Sequence, residues 1–241
     1  MIEETGRQAP ARKVRSRSSG KRHWRRWILA SVAGLVVLIV LAVGAFIKLQ
    51  PTPAPLALPT AAASPPAGPL AGTWVVAAGS AAGFRVRETI LGLSNDSVGR
   101  TNAVTGTIAV TGHQVTSATI RIDLAAIKVG GKTQPQFAGS LDTQGYPTAT
   151  VTLTQPVTLA PAFTSGATIT ATATGRLTMH GTSRLVTITI SGRRNGPALQ
   201  AAGSIPIAFS DWGIKGPAGY GVFGSLANHG TAEFLLLLHR Q

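Results

Sequence analysis

The sequence contains no cysteine, and this absence excludes several kinds of site. Without thiols the chain forms no disulfide, offers no thiolate to a metal and has no cysteine nucleophile. It also lacks the lipid-modified cysteine by which bacterial lipoproteins are held in a membrane. Any attachment to a membrane must therefore come from the polypeptide itself.

Acidic and aromatic residues are scarce as well. Acids total eight and aromatics make up 5% of the chain, whereas apolar residues make up 44%. A helical domain would be rich in Glu, Lys and Leu, but Thr, Val, Ala and Gly are abundant here, and β-branched residues favour strands. Residues 71–241 are free of long charge runs and proline-rich tracts, and their length suits one β domain with a sizeable core.

Positive charge is concentrated at the N-terminus. Residues 1–27 hold nine Lys or Arg against two Glu, a charge of +7 out of a net +14. A segment this charged is typical of disorder. Basic residues beside an apolar run are attracted to anionic headgroups by about 1 kcal/mol each, and this position favours a membrane over nucleic acid. We expect a cytoplasmic tail and no nucleic-acid partner.

An uninterrupted apolar run from Ile28 to Ile47 follows the tail. Twenty helical residues span about 30 Å, the thickness of the hydrocarbon core. Trp24 and Trp27 stand where interfacial rings are favoured, and the basic residues before the run place the N-terminus inside. We predict a single transmembrane helix over 28–48 with the C-terminal domain extracytoplasmic. A cleaved signal peptide is the alternative, although its apolar region is usually about 7–15 residues long.

A proline-rich segment over residues 49–71 separates this run from the β domain. It contains seven prolines among Ala, Thr and Ser. Proline fixes φ and removes a backbone donor, so the segment forms neither sheet nor helix. We predict a semi-rigid spacer of at most ~3.1 Å per residue that carries no functional site.

Apolar and polar residues alternate repeatedly over residues 72–241, which is the pattern of half-buried strands. The alternation predicts strands at about 73–77, 82–88, 103–111, 114–124, 147–154, 167–179, 183–194, 198–209 and 230–239. Several of them are joined by tight turns such as His180-Gly181-Thr182, so neighbouring strands are antiparallel. A meander of about eight long strands predicts an all-β up-and-down barrel. A β-sandwich is the alternative.

Two long segments, 125–146 and 210–229, interrupt the alternation and carry aromatic residues. Long irregular segments in a compact domain are more often functional than spare. We expect both of them at a binding site.

Residues suited to catalysis are few and poorly spaced for it. The histidines of the domain, His113, His180, His229 and His239, do not stand at i, i+2 or i, i+4, so no metal face is indicated. The sequence has no Gly-x-Ser-x-Gly elbow, phosphate loop or dinucleotide fingerprint, and no closely spaced pair of carboxylates. We therefore predict no enzyme, no metal and no cofactor.

Three ordered sets of motifs connect the domain with a known family. The first comprises Gly72–Val76, Ser80–Val86 and Val104–Ile108; the second is Tyr146–Thr150, and the third is Gly175–Arg184. Over about residues 72–239 they resemble the YceI-like family, with its Tyr-Pro segment and its Gly-x-Leu-Thr-x-His-Gly hairpin. The resemblance implies a lipocalin-like extended antiparallel barrel whose cavity binds a polyisoprenoid or similar amphipathic lipid.

The sequence departs from the family pattern at three places. The family's Asp-x-x-His-Ser is replaced by Ala77-Ala78-Gly79-Ser80, and its Arg-Asp pair by Gly131-Lys132-Thr133-Gln134. The Phe that follows Tyr-Pro is Val151 here. Fewer polar groups are thus available to a lipid headgroup.

The lipid would be held by burial of its apolar surface, at about 25 cal/mol per Å². Candidate pocket residues are the large apolar side chains of the strands and long loops: Phe84, Val86, Ile90, Leu91, Leu93, Phe137, Leu141, Tyr146, Val151, Leu153, Trp212 and Phe223. A tethered structural or protein-interaction domain with a filled core is the alternative. An enzyme would need His180 bonded to a carboxylate inside a pocket. No feature of the sequence indicates the oligomeric state.

We predict that protein isolated from membranes retains its basic tail, because the apolar run has the length of a span rather than of a signal peptide. Mass spectrometry of the intact chain and of its N-terminal peptides should recover residues of the tail. A mature N-terminus near residue 46 would instead show cleavage of a signal peptide.

Overall fold

The computed structural model describes residues 52–60, 64–216 and 224–241, together with Gly34, Leu35, Leu38, Ile39, Leu41, Ala42 and Ala45. The chain divides into two units, Met1–Leu49 and Gln50–Gln241. The described residues of the first unit are helical and exposed. The predicted tail and most of the predicted span lie outside the described residues. Within the described residues, no helix has both the length and the apolar character needed to cross a membrane.

Antiparallel β structure dominates the second unit. Its described strands are β1 (Gly72–Val76), β2 (Ala81–Ile90), β3 (Leu93–Thr101), β4 (Val104–Thr111), β5 (Gln114–Asp123), β6 (Lys128–Val129), β7 (Thr148–Leu153), β8 (Val157–Thr158), β9 (Ile169–Met179), β10 (Thr182–Asn195), β11 (Ala198–Ala208), β12 (Gly224–Leu226) and β13 (His229–Arg240). Short helices cover Pro135–Ser140 and Pro161–Thr164, and a 3₁₀ turn covers Phe209–Trp212.

Eight of these strands close into a barrel. The order is β1-β4-β5-β7-β9-β10-β11-β13, and β13 returns to β1 through pairs such as Val76 with Leu238. Each neighbouring pair in this ring is antiparallel. The prediction of an all-β, eight-stranded, lipocalin-like barrel is confirmed, and the sandwich alternative is wrong.

The alternating pattern located the nine predicted strands to within two residues of their observed ends. It missed β3 because Ser94-Asn95-Asp96 and Gly99 have the composition of a turn. In the structure β3 pairs along its whole length with β2. Pairing with a neighbouring strand therefore stabilises an extended conformation that the composition of β3 does not favour. The segment 125–146, expected to be irregular, contains β6 and the helix Pro135–Ser140.

The β2–β3 hairpin extends the sheet beyond the closed ring. β13 is twelve residues long and uses different parts of its free side for different partners. Thr231–Leu235 pair with β2, whereas Leu238–Arg240 pair with β1. The hairpin therefore adds to the wall at one end of the barrel, and β6 pairs with its outer strand.

The core lies on the inward faces of the barrel strands and forms two clusters. One surrounds Trp74 and the other surrounds Trp212. Trp74 is 1% exposed, and its indole Nε1 donates a hydrogen bond of 2.9 Å to the carbonyl oxygen of Leu70. A buried indole needs such an acceptor, and here the acceptor comes from the end of the proline-rich segment.

The proline-rich segment lies on the β domain and does not act as a free spacer. Its described residues belong to the Gln50–Gln241 unit, and Leu70 is buried in the core. Ser64 and Ala67 donate backbone hydrogen bonds to Asn195 Oδ1 and to the Gly196 carbonyl, 3.1 and 2.9 Å long. Extended proline-rich backbone has no internal hydrogen bonds, so its carbonyls and remaining N–H groups are available to other partners.

We predict that Trp74→Ala destabilises the domain by about 3–5 kcal/mol, because it empties a buried site and removes the bond to Leu70. Trp74→Phe should cost less, since it retains much of the buried ring. Leu185→Ala, at a side chain that is 61% exposed, is the control and should change stability by no more than about 0.5 kcal/mol. Urea unfolding measures all three; equal effects of Trp74→Ala and Leu185→Ala would contradict the prediction.

Candidate functional site

Two apolar cavities lie inside the described part of the barrel. Their volumes are about 180 and 140 Å³. The larger one is bordered mainly by Ile, Val, Leu and Ala from the barrel strands, and the smaller one lies toward the end where β2 and β12 pair. The interior is thus unfilled and is surrounded by apolar side chains.

One layer of side chains lies between the two cavities, and we call it the waist. Five residues border both of them: Ala82, Ile122, Val151, Ile205 and Phe234. They come from five different strands, so the waist is a ring of the barrel and not a local irregularity of one strand. The two cavities thus lie in series along the interior, on either side of this ring, and we call them together the passage.

The ring of Phe234 lies over its partner on β11, which is a glycine. Phe234 pairs with Gly203, where an added Cβ would lie 2.5 Å from Phe234 Cζ. No real Cβ tolerates that distance, so a side chain at position 203 would displace the ring. Phe84 stands in the same relation to Gly99, with the equivalent distance to its Cε1 also 2.5 Å.

Different segments cover the two ends. Phe163, from the short helix after β8, borders the larger cavity and is buried. Phe137 and Leu141 of the 125–146 segment border the smaller cavity, together with Ile214 and Leu226 of the 210–229 segment. Both long segments expected at a binding site therefore contribute described residues to the smaller cavity.

Six of the twelve predicted pocket residues border the interior. Phe84, Val86, Phe137 and Leu141 border the smaller cavity, Leu153 borders the larger one, and Val151 borders both. Their contact with a lipid stays a prediction. Phe84 and Phe137 pack together with ring centroids 5.4 Å apart.

The other six predicted pocket residues do not border either cavity in the described structure. Ile90, Leu91 and Leu93 lie at the end of the β2–β3 hairpin. Trp212 is buried in a core cluster, Tyr146 is 42% exposed, and Phe223 lies outside the described residues. Side-chain size and position in a loop were the reasons for choosing these residues, and neither places a side chain inside a barrel.

Tyr146 packs against His180, with ring centroids 5.3 Å apart. His180 Nδ1 lies 2.8 Å from the carbonyl oxygen of Trp212, so a backbone group and not a carboxylate orients the imidazole. This hairpin histidine therefore holds the 3₁₀ turn against the β9–β10 turn. Among the described residues, no three His, Asp or Glu come together as a metal site.

The residues missed by the sequence analysis are mostly aliphatic and lie on the inner faces of predicted strands. Ile205 and Phe234 at the waist are examples, as are Ile108 and Ile188 of the larger cavity. Alternation along each strand contains the signal for all of them, because residues i and i+2 share a face. Knowing which face points inward would have identified them.

A charged cluster lies on the β2–β3–β13 part of the wall. Glu233 alternates with Phe234 along β13 and is 6% exposed. Its Oε1 accepts a hydrogen bond of 2.6 Å from Arg85 Nε, and its Oε2 lies 3.4 Å from Arg100 Nη2. Asp96 adds a second carboxylate, 3.4 Å from Arg85 Nη1 and 2.7 Å from Arg87 Nε.

The carboxylates around Arg85 raise its pKa. Burial by itself lowers the pKa of Arg85, but the hydrogen bond and charge of Glu233, followed by those of Asp96, outweigh burial and raise the pKa. A raised pKa on a basic group stabilises the fold at every pH below its unfolded pKa. Arg85 thus stays charged throughout the pH range in which proteins are assayed.

The proline-rich segment binds to this cluster through its backbone. Arg85 Nη2 donates to the Pro53 carbonyl at 2.8 Å, and Arg100 Nη2 donates to the Ala54 carbonyl. In the opposite direction, the Leu56 N–H donates to Glu233 Oε2 at 3.2 Å. We call residues 52–60 the strap, because they bind in extended form across the outer wall.

Both the sequence and the fold are similar to those of known proteins. A family model described as YceI-like domain matches residues 74–233. The fold is similar to a polyisoprenoid binding domain from Saccharophagus degradans implicated in plant cell wall breakdown, with a TM-score of 0.55 and 16% identity over 71% of this chain and 99% of that one. BcnA of Burkholderia cenocepacia is a further similar structure, with a TM-score of 0.46 and 21% identity over 64% and 95%. No curated protein matches the chain.

We predict that Glu233→Gln destabilises the domain by about 3 kcal/mol, because it removes the buried carboxylate that pairs with both Arg85 and Arg100 and leaves Arg85 with the more distant Asp96. Asp211→Asn removes an acidic charge at an exposed position and should stay within about 0.5 kcal/mol of the parent chain. Thermal and urea unfolding at neutral pH measure the difference. Equal stability of the two variants would show that the cluster contributes little to the fold.

Proposed function

The chain belongs to the YceI-like family, and from that premise we propose that it is a membrane-tethered, extracytoplasmic protein that holds a polyisoprenoid or similar amphipathic lipid inside its barrel. The match over residues 74–233 confirms the family resemblance of the sequence motifs. The similar Saccharophagus domain is named for polyisoprenoid binding, which supports the same class of ligand here.

The observation that carries the proposal is the pair of apolar cavities that lie in series inside the barrel. Two cavities of about 180 and 140 Å³ share the waist and are bordered chiefly by aliphatic and aromatic side chains. An apolar cavity of about 150 Å³ stays dry and accepts a benzene-sized guest. Each cavity is therefore large enough for a section of a hydrocarbon chain, and we propose that the side chains of the waist move apart so that one chain occupies both.

The form of the passage favours a chain over a compact guest. A compact ligand would need one wide space, whereas a thin chain fits two smaller spaces in series. Burial of the chain's surface gives about 25 cal/mol per Å², and no water needs to be displaced from a dry cavity. Recognition of the chain would then rest on its length and its apolar character.

A polar headgroup would lie at the end of the smaller cavity. Ser140, Thr231 and Glu233 are among the residues that border that cavity, whereas the larger cavity is bordered by the apolar ring of Phe163 and by one such polar residue, Gln200. The 125–146 and 210–229 segments meet the cavity at the same end. The sequence lacks the family's Asp and His near residue 77, so we expect selectivity to depend more on the chain than on the headgroup.

The tether and the location are supported by the sequence. The apolar run 28–48 has the length of a span, and the basic tail before it favours a cytoplasmic N-terminus. An extracytoplasmic domain attached in this way stays beside a bilayer, which is the source of isoprenoid lipids. Nothing in the charge or composition of the domain requires a nucleic-acid partner.

The main alternative is a structural or protein-interaction domain with a filled core. The two cavities count against it, because protein interiors are close-packed and rarely leave large voids unless something fills them. The proposal involves no catalysis, since the family fold is one of binding proteins and His180 is oriented by a backbone carbonyl.

We predict that Val151→Phe lowers the affinity for a long-chain polyprenol by at least about tenfold, or 1.4 kcal/mol. Val151 is one of the waist residues and borders both cavities, so the larger phenylalanine ring would fill the space between them. Overpacking should cost at most about 1–3 kcal/mol of stability. Binding to the purified full chain can be measured by titration with the polyprenol and by mass spectrometry of co-purified lipid.

Thr152→Phe is the matched control for this substitution. Thr152 is the next residue on β7 and points to the opposite face, where its Oγ1 lies 3.5 Å from the Arg176 carbonyl oxygen. The same added volume at that position should leave polyprenol binding unchanged. A parent chain that carries no lipid and binds no added polyprenol would favour the filled-core alternative.

A further inference from the structure

We propose that the end of the β2–β3 hairpin, residues Ile90–Leu93, is the surface by which the domain contacts the lipid bilayer. This inference rests on the tether of the proposed function and adds to it a defined contact. We call these four residues the hairpin tip. Three of them, Ile90, Leu91 and Leu93, are candidate pocket residues that border neither cavity.

The hairpin tip presents an apolar side chain where turns normally carry polar or small residues. Leu91 and Gly92 form its turn with φ values of 51° and 77°, so both residues are in the left-handed region. Asn, Asp and Gly are favoured at such positions because a larger side chain is strained there. A leucine is held here nevertheless, and it is 46% exposed.

The neighbours of Leu91 extend the apolar surface. Ile90 and Leu93 are paired directly behind the turn, and both are partly exposed. Within the described residues, the hairpin tip therefore holds one exposed leucine between two partly exposed aliphatic neighbours. Strain combined with apolar exposure is typical of a site that meets a partner.

The hairpin tip belongs to the end of the barrel at which the smaller cavity lies. Val86 borders that cavity four residues before the tip, and Leu226 borders it from β12, where it pairs with Glu88. A lipid that leaves the bilayer beside the tip would meet this end of the passage first. The position of the tip thus suits the transfer of a chain between membrane and cavity.

The strap determines which end of the domain is connected to the predicted span. Its first described residue, Thr52, donates a hydrogen bond of 2.8 Å to Asn95 Oδ1, two residues from the tip on β3. Later strap residues bond farther along the wall: Leu56 to Glu233, and Pro59, through its carbonyl, to Arg193. The strap therefore starts beside the tip and runs away from it.

Chain length then limits how far the tip can be from a membrane. The predicted span ends at Lys48, four residues before Thr52, and four residues reach at most about 14 Å when fully extended. If residues 49–71 were a free spacer, every face of the domain could turn toward the bilayer. With the strap bound, the described chain that follows the predicted span starts beside the hairpin tip, which favours this surface for the contact.

The absence of cysteine makes the proposal directly testable by site-directed labelling. Leu91→Cys in the full chain would carry an environment-sensitive fluorophore, with the protein reconstituted into vesicles of phosphatidylethanolamine and phosphatidylglycerol. We expect the emission of the Leu91 label to lie at shorter wavelength than that of the same fluorophore at exposed control positions of the full chain, and to be quenched by brominated lipids in the vesicles.

Two control positions are available on the same chain. Leu185→Cys labels another exposed leucine on the side wall, 61% exposed, and His113→Cys labels the exposed β4–β5 turn at the opposite end of the barrel. Neither label should shift or be quenched. A Leu91 label no more quenched than the His113 label would overturn the proposal, as would equal quenching at all three positions.

The readouts separate this proposal from the proposed function. Polyprenol binding and alkaline extraction of the vesicles are measured on the same labelled proteins. A chain that binds polyprenol and resists extraction but shows no quenching at Leu91 would refute the bilayer contact alone. Loss of the protein on extraction would refute the tether, and the hairpin-tip proposal with it.

Discussion

Strand β13 closes the barrel. Its pairings with three other strands determine where the interior and the charged cluster lie. It pairs with β11 over most of its length, with β2 in its first half and with β1 at its end. Closure removes the sheet edges and turns alternate residues of every strand toward one enclosed space. The same strand puts Phe234 into the waist and the adjacent Glu233 into the charged cluster. Interior and outer wall are therefore linked through consecutive residues.

An enclosed space of fixed circumference fills only if its side chains are large enough. Many inward positions here hold Ala, Val or Gly, including Ala82 at the waist and Ala173 beside the larger cavity. The unfilled volume forgoes packing energy, and the fold tolerates this because hydrogen bonds between strands continue around the ring. A guest chain would restore the missing contacts, so the same small residues that weaken the core supply the binding energy for a ligand.

The sequence could predict the barrel because alternation with a period of two is both necessary for a one-sided strand and easy to recognise. It could not predict β3, whose polar composition is compensated by β2, nor the waist, which depends on residues from five strands meeting at one level. Pocket residues chosen for size included Leu91 and Tyr146, which are exposed. The alternation along each strand contained the aliphatic residues that point inward. Which face of a strand points inward depends on closure of the barrel, and no single strand encodes that closure.

The strap shows that a proline-rich composition is compatible both with a free spacer and with a segment bound to the barrel wall. Prolines prevent helix and sheet, which indicates a free spacer, yet they also leave carbonyl oxygens without partners. Arg85 and Arg100 are held in place by Glu233, so their remaining donors point outward and meet the carbonyls of Pro53 and Ala54. An arginine pair without an acidic partner would be mobile and would bind such a segment weakly. The buried carboxylate thus orders the arginines, and the arginines in turn order the strap.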